Sequence, residues 1–204
     1  MADRYDSFAT LAANEIEGVD YRIHVDERAS PVAVVAPHGG LIEHGTSEIA
    51  AAIAADRFSL YCFEGLKGAS GGRLHITSTR FNEPQALALV STSEVAIGVH
   101  GRKDRRDDES IWVGGLHEIL RNAICEALAN AGFKAKAVGD GHRLAGRDPA
   151  NICNRGRRGA GVQLELPRAL RMQFASNRSL QSAFAEKVRA AVSDIGVRPC
   201  AIDR

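Results

Sequence analysis

Two histidines and a glutamate stand where they could hold a divalent metal ion. His38 follows an apolar run and precedes two glycines, Glu43 comes five residues later, and His100 ends the run Val95–His100. Paired glycines let the backbone turn sharply, so that neighbouring side chains can converge. Two histidines and one carboxylate are the protein ligands of catalytic zinc sites that keep a fourth position open for water.

A structural role for these residues is the alternative. A single histidine at a strand end more often makes hydrogen bonds within the protein than it binds a metal. The residue types alone therefore support the zinc site and the structural alternative about equally. His44 and Glu48 are rival ligands. Glu48 lies in a predicted helix, and we expect it to orient a ligand from outside the metal's own shell.

Apolar runs that alternate with helical patterns predict an α/β domain with three layers around a central mixed sheet. In such domains, ligands gather where loops leave the carboxyl ends of central strands. The length of 204 residues predicts a single catalytic domain over 1–204. The predicted strands are Tyr21–Val25, Val32–Ala36, Ser59–Phe63, Leu74–Thr77, Val95–His100, Lys134–Val138 and Gly161–Leu166, and the predicted helices are Thr46–Ala55, Pro84–Val90, Leu116–Asn130 and Ser179–Ile195.

The composition argues against several classes of protein. A net charge of +1 gives no overall field for nucleic acid or an anionic membrane. The N-terminus lacks a signal-peptide core, and the longest apolar run, Ile49–Ala55, is too short to span a bilayer. Four cysteines without C-x-x-C spacing indicate a reduced, cytoplasmic setting. The glycine-rich segment Gly65–Gly72 lacks the order of a phosphate-binding loop, and we expect a mobile loop there.

The segment Pro37–Ala50, which contains the order His-Gly-Gly-x-Ile-Glu, and several shorter segments resemble the poly-γ-glutamate hydrolase family. These proteins are zinc amidohydrolases of phages and bacilli that are related in fold to zinc carboxypeptidases. The likeness runs from about residue 5 to residue 195. Its most specific part is the His-Gly-Gly-x-Ile-Glu block within Pro37–Ala50, and shorter pieces are Arg4–Tyr21, Leu74–Thr79, Gly98–Gly101 and Gly161–Leu166.

The resemblance implies a zinc-carboxypeptidase-like fold, with zinc on His38, Glu43 and His100 and a general base at Glu165. Without it, the alternation of apolar and polar residues around Glu165 favours an exposed carboxylate on a half-buried strand. The implied activity is hydrolysis of γ-glutamyl amide bonds by metal-activated water. The first two ligands are spaced His-x₄-Glu here and His-x-x-Glu in zinc carboxypeptidases, so the loop geometry does not transfer directly.

An anionic glutamyl substrate requires basic groups, and arginine pairs with carboxylates through two hydrogen bonds. Arg155, in an arginine-rich loop before the Glu165 strand, is our first candidate, and Arg80 is a weaker one. We expect the charged run 102–109 to be a solvated loop that could also rim the cleft. His75 lies in a predicted strand, where a structural hydrogen bond is the first expectation and support of a metal ligand is the alternative.

Two other functions stay open at this point. One is a zinc-dependent deacylase of N-acyl amino acids. The other is a phage- or replication-associated binding protein that keeps the fold without turnover. Glu165 argues against the second, because a pure binding module needs no proton acceptor beside the metal.

Overall fold

Seven strands form one mixed sheet in the computed structural model, which describes residues 3–67 and 71–197. The strands are β1 (Tyr21–Asp26), β2 (Val32–Gly40), β3 (Ser59–Gly65), β4 (Val95–Arg102), β5 (Ile111–Gly114), β6 (Ala135–Ala137) and β7 (Val162–Pro167). Their order across the sheet is β1-β3-β2-β4-β7-β5-β6. Strands β3, β2, β4 and β7 are parallel, and the other strands run against them.

Helices cover both faces of the sheet. They are α1 (Phe8–Ala12), α2 (Thr46–Ala54), α3 (Pro84–Thr92), α4 (Glu118–Asn130), α5 (Arg168–Ser176) and α6 (Arg178–Asp194), with 3₁₀ turns at Gly71–Leu74 and Ile152–Asn154. Among the described residues, no helix is both long and apolar enough to cross a membrane.

Strand β2 shows why the sheet is covered on both sides. Val32, Val34 and Ala36 pack into a core cluster with residues of α2, α4, α5 and α6. Ala33 and Val35 point the other way, into a second cluster with residues of α1 and α3. Each fully buried valine contributes about 1.5–3 kcal/mol relative to an exposed one. A continuous apolar run therefore gives a central strand between two helical layers.

The predicted three-layer α/β fold with a mixed sheet is confirmed, but several elements differ from the sequence-based expectation. Leu74–Thr77 is not a strand: Leu74 ends a 3₁₀ turn, and the next residues pair with no strand of the described chain. Strand β5 and helix α5 were not predicted. Helix α2 begins after Gly45, whose φ is +88°, and not at a side-chain cap from Thr46 or Ser47.

Two predictions fall partly outside the described ranges. Residues 68–70 of the glycine-rich segment and Cys200 lie outside them, so the expected mobile loop stays a prediction. The other three cysteines are free thiols, and burial raises the pKa of Cys62 and of Cys153 to about 12.

Gly161 marks a tight passage just before β7. A Cβ atom there would lie 1.8 Å from the carbonyl oxygen of Cys153 and 2.5 Å from that of Ala96. Backbone atoms on both sides cannot move away independently, because they belong to β4 and to the 3₁₀ turn Ile152–Asn154. Only glycine lets β7 enter the sheet at this position.

We expect Gly161→Ala to lower the free energy of unfolding by at least about 1–3 kcal/mol, the range for overpacked sites. Urea denaturation followed by circular dichroism measures the change. Gly139→Ala is the matched control, because nothing lies within 4 Å of its added Cβ, and it should stay within about 0.5 kcal/mol of wild type. Equal stability of the two variants would contradict the proposed close passage.

Candidate active site

Three strands that carry predicted site residues end at the same edge of the sheet. His38 lies near the end of β2, His100 near the end of β4 and Glu165 near the end of β7. In the β4–β7 pairing, His100 is the direct partner of Glu165. All three side chains are buried, with 2%, 2% and 5% of their surface exposed. The parallel strand order therefore brings together residues that are far apart in sequence.

Glu43 reaches the same point from the loop after β2. A Cβ on Gly39 would lie 2.1 Å from Ser47 Oγ, so only glycine lets the chain turn this close to α2. The Glu43 N–H donates to the carbonyl of His38 over 2.9 Å, which closes the loop. Glu43 Oε2 in turn accepts a hydrogen bond of 2.7 Å from the N–H of Gly101. The loop is thus closed on itself and is attached to β4 through the Glu43 carboxylate.

Three potential ligand atoms face one another here. His38 Nδ1 lies 3.2 Å from His100 Nδ1 and 3.4 Å from Glu43 Oε2, and His100 Nδ1 lies 3.8 Å from Glu43 Oε2. Atoms bound tetrahedrally at about 2.1 Å from one zinc ion lie about 3.4 Å from each other. The spacing and the donor set therefore both fit a zinc ion.

The opposite nitrogen of each imidazole has its own contact. His38 Nε2 donates to the carbonyl of Ile76 over 2.8 Å, and Ser78 Oγ lies 3.4 Å from His100 Nε2. A contact at Nε2 holds the ring and leaves the Nδ1 lone pair for a metal, as is common among metal-binding histidines. Ile76 lies in the segment that was expected to be a strand, and Ser78 follows that segment directly. The polar groups of this stretch therefore contact the two histidines and do not pair with a neighbouring strand in the described ranges.

His75 is held against this cluster by the N-terminal part of the chain. Its ring stacks on His38 with centroids 4.0 Å apart. Its Nδ1 lies 2.7 Å from Asp3 Oδ1, and Asp3 Oδ2 accepts the N–H of Thr77 over 2.8 Å. The Asp3 side chain is only 3% exposed. Asp3 therefore holds the segment that contacts both His38 and His100.

His75 is also an alternative third ligand. One donor atom each from His38, Glu43 and His75 lies within 4.8 Å of the others. We favour His100, because its Nδ1 lies no more than 3.8 Å from the other two atoms and the Nδ1 of His75 is already paired with Asp3.

The ionisable groups of the cluster shift one another's pKa values. Burial raises the pKa of Glu43, but the facing His38 and His100 rings and the Gly101 N–H outweigh it and lower that pKa to about 2. Burial and the neighbouring His38 lower the pKa of His100 to about 3. His38 is buried too, yet the Glu43 carboxylate keeps its pKa above the ordinary value. His100 is therefore neutral at neutral pH, which is the form that binds metals.

Glu165 is a buried carboxyl beside the cluster. Burial, with repulsion from Glu43, raises its pKa well above the ordinary value. Gln163 Nε2 donates to Glu165 Oε1 over 2.9 Å, while Gln163 Oε1 accepts from Asn151 over 2.8 Å. The carboxyl group is thus held in one orientation, and a raised pKa suits a group that must both take and release a proton.

A cleft of about 840 Å³ opens in front of these groups. Trp112 lies on one wall, next to Glu165 in the β5–β7 pairing. Lys103, Arg105 and Arg143 also line the cleft and are exposed. Within residues 3–67 and 71–197, no ion pair neutralises these three cations. The cleft therefore offers free positive charge around the candidate metal ligands.

Other residues singled out from the sequence lie elsewhere. Arg155 is exposed and is not part of the cleft wall, and Arg80 forms an ion pair with Asp3. Glu48 lies on the exposed side of α2, and His44 is exposed as well. The structure does not bring these four side chains to the candidate metal ligands.

Arg171 supports the site although the sequence analysis did not single it out. Its guanidinium donates to the carbonyl oxygens of His44 and Leu166. A Cβ on Gly101 would lie 2.5 Å from its Cζ, so the guanidinium packs directly against the backbone after His100. No motif marks this arginine, because its role depends on helix α5 lying below the loop that carries Glu43.

Comparisons with known proteins show which family of sequences this chain matches. The sequence model of the poly-γ-glutamate hydrolase family matches residues 5–193. The UPF0714 protein YndL of Bacillus subtilis strain 168 is 40% identical over 188 residues, which is 92% of this chain and 71% of YndL.

Solved structures give the same result. A bacteriophage poly-γ-glutamate hydrolase superposes with a TM-score of 0.89 at 35% identity, over 95% of this chain and 98% of that one. A structure of YndL described as zinc-free superposes with a TM-score of 0.88 at 35% identity, over 96% and 100% of the two chains. A candidate carboxypeptidase from Burkholderia mallei, 10% identical with a TM-score of 0.50 over 85% of this chain and 59% of that one, shares the fold alone.

Removing each candidate ligand separates the two ligand sets. Loss of a residue that only supports a metal ligand typically weakens metal affinity about 10–100-fold. We expect His75→Ala to weaken zinc affinity within that range and His100→Ala to weaken it by more. Competition with a chromophoric chelator measures both affinities. A larger loss in His75→Ala than in His100→Ala would make His75 the third ligand.

Asp3 gives a pH-dependent prediction. Burial raises its pKa, but hydrogen bonds from Thr77 and His75 outweigh it and lower the pKa to about 2. A depressed folded pKa stabilises the protein above the unfolded pKa, and this contribution disappears as the pH falls toward the folded pKa. We expect Asp3→Asn to cost about 1–2 kcal/mol at pH 6 and roughly half of that at pH 3. Urea unfolding at both pH values tests this, and a pH-independent difference would contradict it.

Proposed function

The chain belongs to the poly-γ-glutamate hydrolase family, and we propose that it cleaves γ-glutamyl amide bonds with a zinc ion held by His38, Glu43 and His100. The observation that carries the proposal is the group of three ligand atoms within 3.8 Å of one another, beside a buried carboxyl in the same cleft. The zinc-free description of the YndL structure supports the choice of metal.

The three ligand side chains are suited to keep a metal available for chemistry. Bound there, zinc would supply a Lewis acid that lowers the pKa of water from 15.7 to about 7 and polarises the scissile carbonyl. With three protein ligands, a tetrahedral site keeps one position for water or substrate. The Nε2 contacts of His38 and His100 hold both rings in the orientation that this requires.

Glu165 is the proton carrier in this proposal. Gln163 binds Oε1, and Glu165 borders the cleft with the metal-site histidines. The carboxylate accepts a proton from the attacking water and passes it to the departing nitrogen, which leaves as a neutral amine. Its burial raises the proton affinity of the carboxylate, and this assists the first transfer.

The cations of the cleft support an anionic substrate. A γ-linked polyglutamate carries one free carboxylate on every residue, and Lys103, Arg105 and Arg143 offer unneutralised positive charge along the cleft. A volume of about 840 Å³ also has room for more than one glutamyl residue. A single N-acyl amino acid needs neither the extra length nor several cations.

The test is Glu165→Gln. We expect the variant to keep zinc while kcat on γ-polyglutamate falls about 10²–10⁴-fold, because the amide cannot accept the proton. Elemental analysis and reducing-end or amine-release assays measure the two properties. Glu126→Gln, an exposed change on α4, is the matched control and should retain full activity.

Several outcomes would contradict the proposal. An active Glu165→Gln enzyme would remove the assignment of the base. Wild-type activity on N-acyl amino acids in place of γ-polyglutamate would identify a deacylase. Bound zinc without hydrolysis of any amide would indicate a binding protein.

A further inference from the structure

Arg143 lies on the part of the cleft wall that borders the proton carrier. Gln163 Nε2 contacts both Glu165 Oε1, at 2.9 Å, and the carbonyl oxygen of the neighbouring Leu144, at 3.5 Å. The side-chain amide of Gln163 thus connects Glu165 to the segment that carries Arg143. The positive charge of Arg143 also acts on Glu165 and lowers its pKa, against the larger effect of burial.

The segment around Arg143 is held firmly. Ala145 accepts the N–H of Gly115 over 2.7 Å, and the carbonyl of Gly146 accepts from Asn154 over 2.8 Å. The neighbouring His142 ring meets Trp112 edge-on, with centroids 4.6 Å apart. The backbone that carries the Arg143 guanidinium is therefore held in place close to the reacting groups.

Among the cleft arginines, Arg143 is the best placed for a ligand. Arg102 is buried, stacks on Trp112 and donates to backbone carbonyls, and Arg147 pairs with Asp140 and Glu118. Arg105 lies in the loop after β4 at a φ of +50°, and no described contact joins it to Glu165. In the described part of the chain, no hydrogen bond or ion pair occupies the guanidinium of Arg143.

The structure of a γ-glutamyl linkage indicates which substrate group a cation at this position could bind. In a γ-linked chain, the carbon bonded to the leaving nitrogen carries a free α-carboxylate. In an α-linked chain, the same carbon carries the next amide, and the free carboxylate lies two carbons further out. Because Glu165 delivers a proton to the leaving nitrogen, a cation next to Glu165 is suited to a carboxylate on the adjacent carbon.

We propose that Arg143 binds the α-carboxylate on the leaving-amine side of the scissile bond and thereby selects γ-linked over α-linked glutamyl chains. The inference rests on the proposed function and adds the residue that determines specificity. A guanidinium–carboxylate pair with two hydrogen bonds fixes the orientation of the departing amine.

The experiment uses a γ-linked glutamate pentamer in which one central α-carboxylate is replaced by its primary amide. Mass spectrometry reads which bonds the zinc-loaded enzyme cleaves. One peptide bond of this pentamer then lacks the α-carboxylate on its leaving-amine side. Wild type should cleave that bond at least about 10-fold more slowly than the unmodified bonds, as expected for loss of a charged hydrogen bond. Arg143→Gln should cleave both kinds of bond at similar, reduced rates.

Three further variants complete the set. Arg143→Lys keeps the charge without the planar fork and should recover part of the preference. Arg57→Gln, an exposed arginine before β3 and outside the cleft wall, should behave as wild type. Arg155→Gln tests the arginine that the sequence favoured and should also keep the preference.

A separate binding measurement distinguishes failure of this inference from failure of the proposed function. Trp112 is the only tryptophan in the sequence, so its fluorescence reports ligand in the cleft. In Glu165→Gln, adding Arg143→Gln should weaken binding of the unmodified pentamer at least about 10-fold, and amidation should weaken binding only when Arg143 is present.

Unchanged selectivity and binding in Arg143→Gln would overturn the role of Arg143, as would loss of the preference in Arg155→Gln instead. A wild-type enzyme that cleaves no γ-linked bond would refute the proposed function. The binding data would still decide whether Arg143 recognises the carboxylate.

Discussion

The packing of two imidazoles and a carboxylate around one buried point sets the strongest constraint on this molecule. Nitrogens of His38 and His100 lie 3.2 Å apart, and burial keeps water from separating their charges. Both rings cannot be charged imidazolium ions at this distance, so one stays neutral. A divalent ion would satisfy all three groups at once, and the surrounding structure can be understood as a frame that holds them at this spacing.

That frame is built from interactions that are not local in sequence. Parallel strands supply the two histidines and Glu165 at one edge, and Arg171 holds the backbone after His100 and the loop that carries Glu43. The segment after Leu74 contacts the outer side of both rings, and Asp3 fixes that segment. Each of these interactions is weak alone, but together they restrict the positions of the three proposed ligand atoms.

The sequence was informative where a local pattern has one structural meaning. The apolar run of β2 predicted a central strand, and the histidines near the ends of β2 and β4 predicted that these residues meet at the carboxyl ends of their strands. The same reasoning predicted a strand at Leu74–Thr77, because apolar and polar residues alternate there. It could not show that the carbonyl of Ile76 and the N–H of Thr77 bind His38 and Asp3. Arg155 was chosen because other arginines surround it in the sequence. Arg143 lies at the cleft because Gln163 and Asn154 hold its segment there, and no pattern in the sequence indicates these contacts.

The bond from Arg171 to the carbonyl of His44 joins residues 127 positions apart. Closing so long a stretch of chain is slow, because its entropy is lost before the contact forms. During synthesis, the first two of the proposed ligands therefore leave the ribosome well before the arginine that fixes their loop. Metal capture by the nascent chain would then be loose and reversible, and the final affinity would be reached only after α5 has docked.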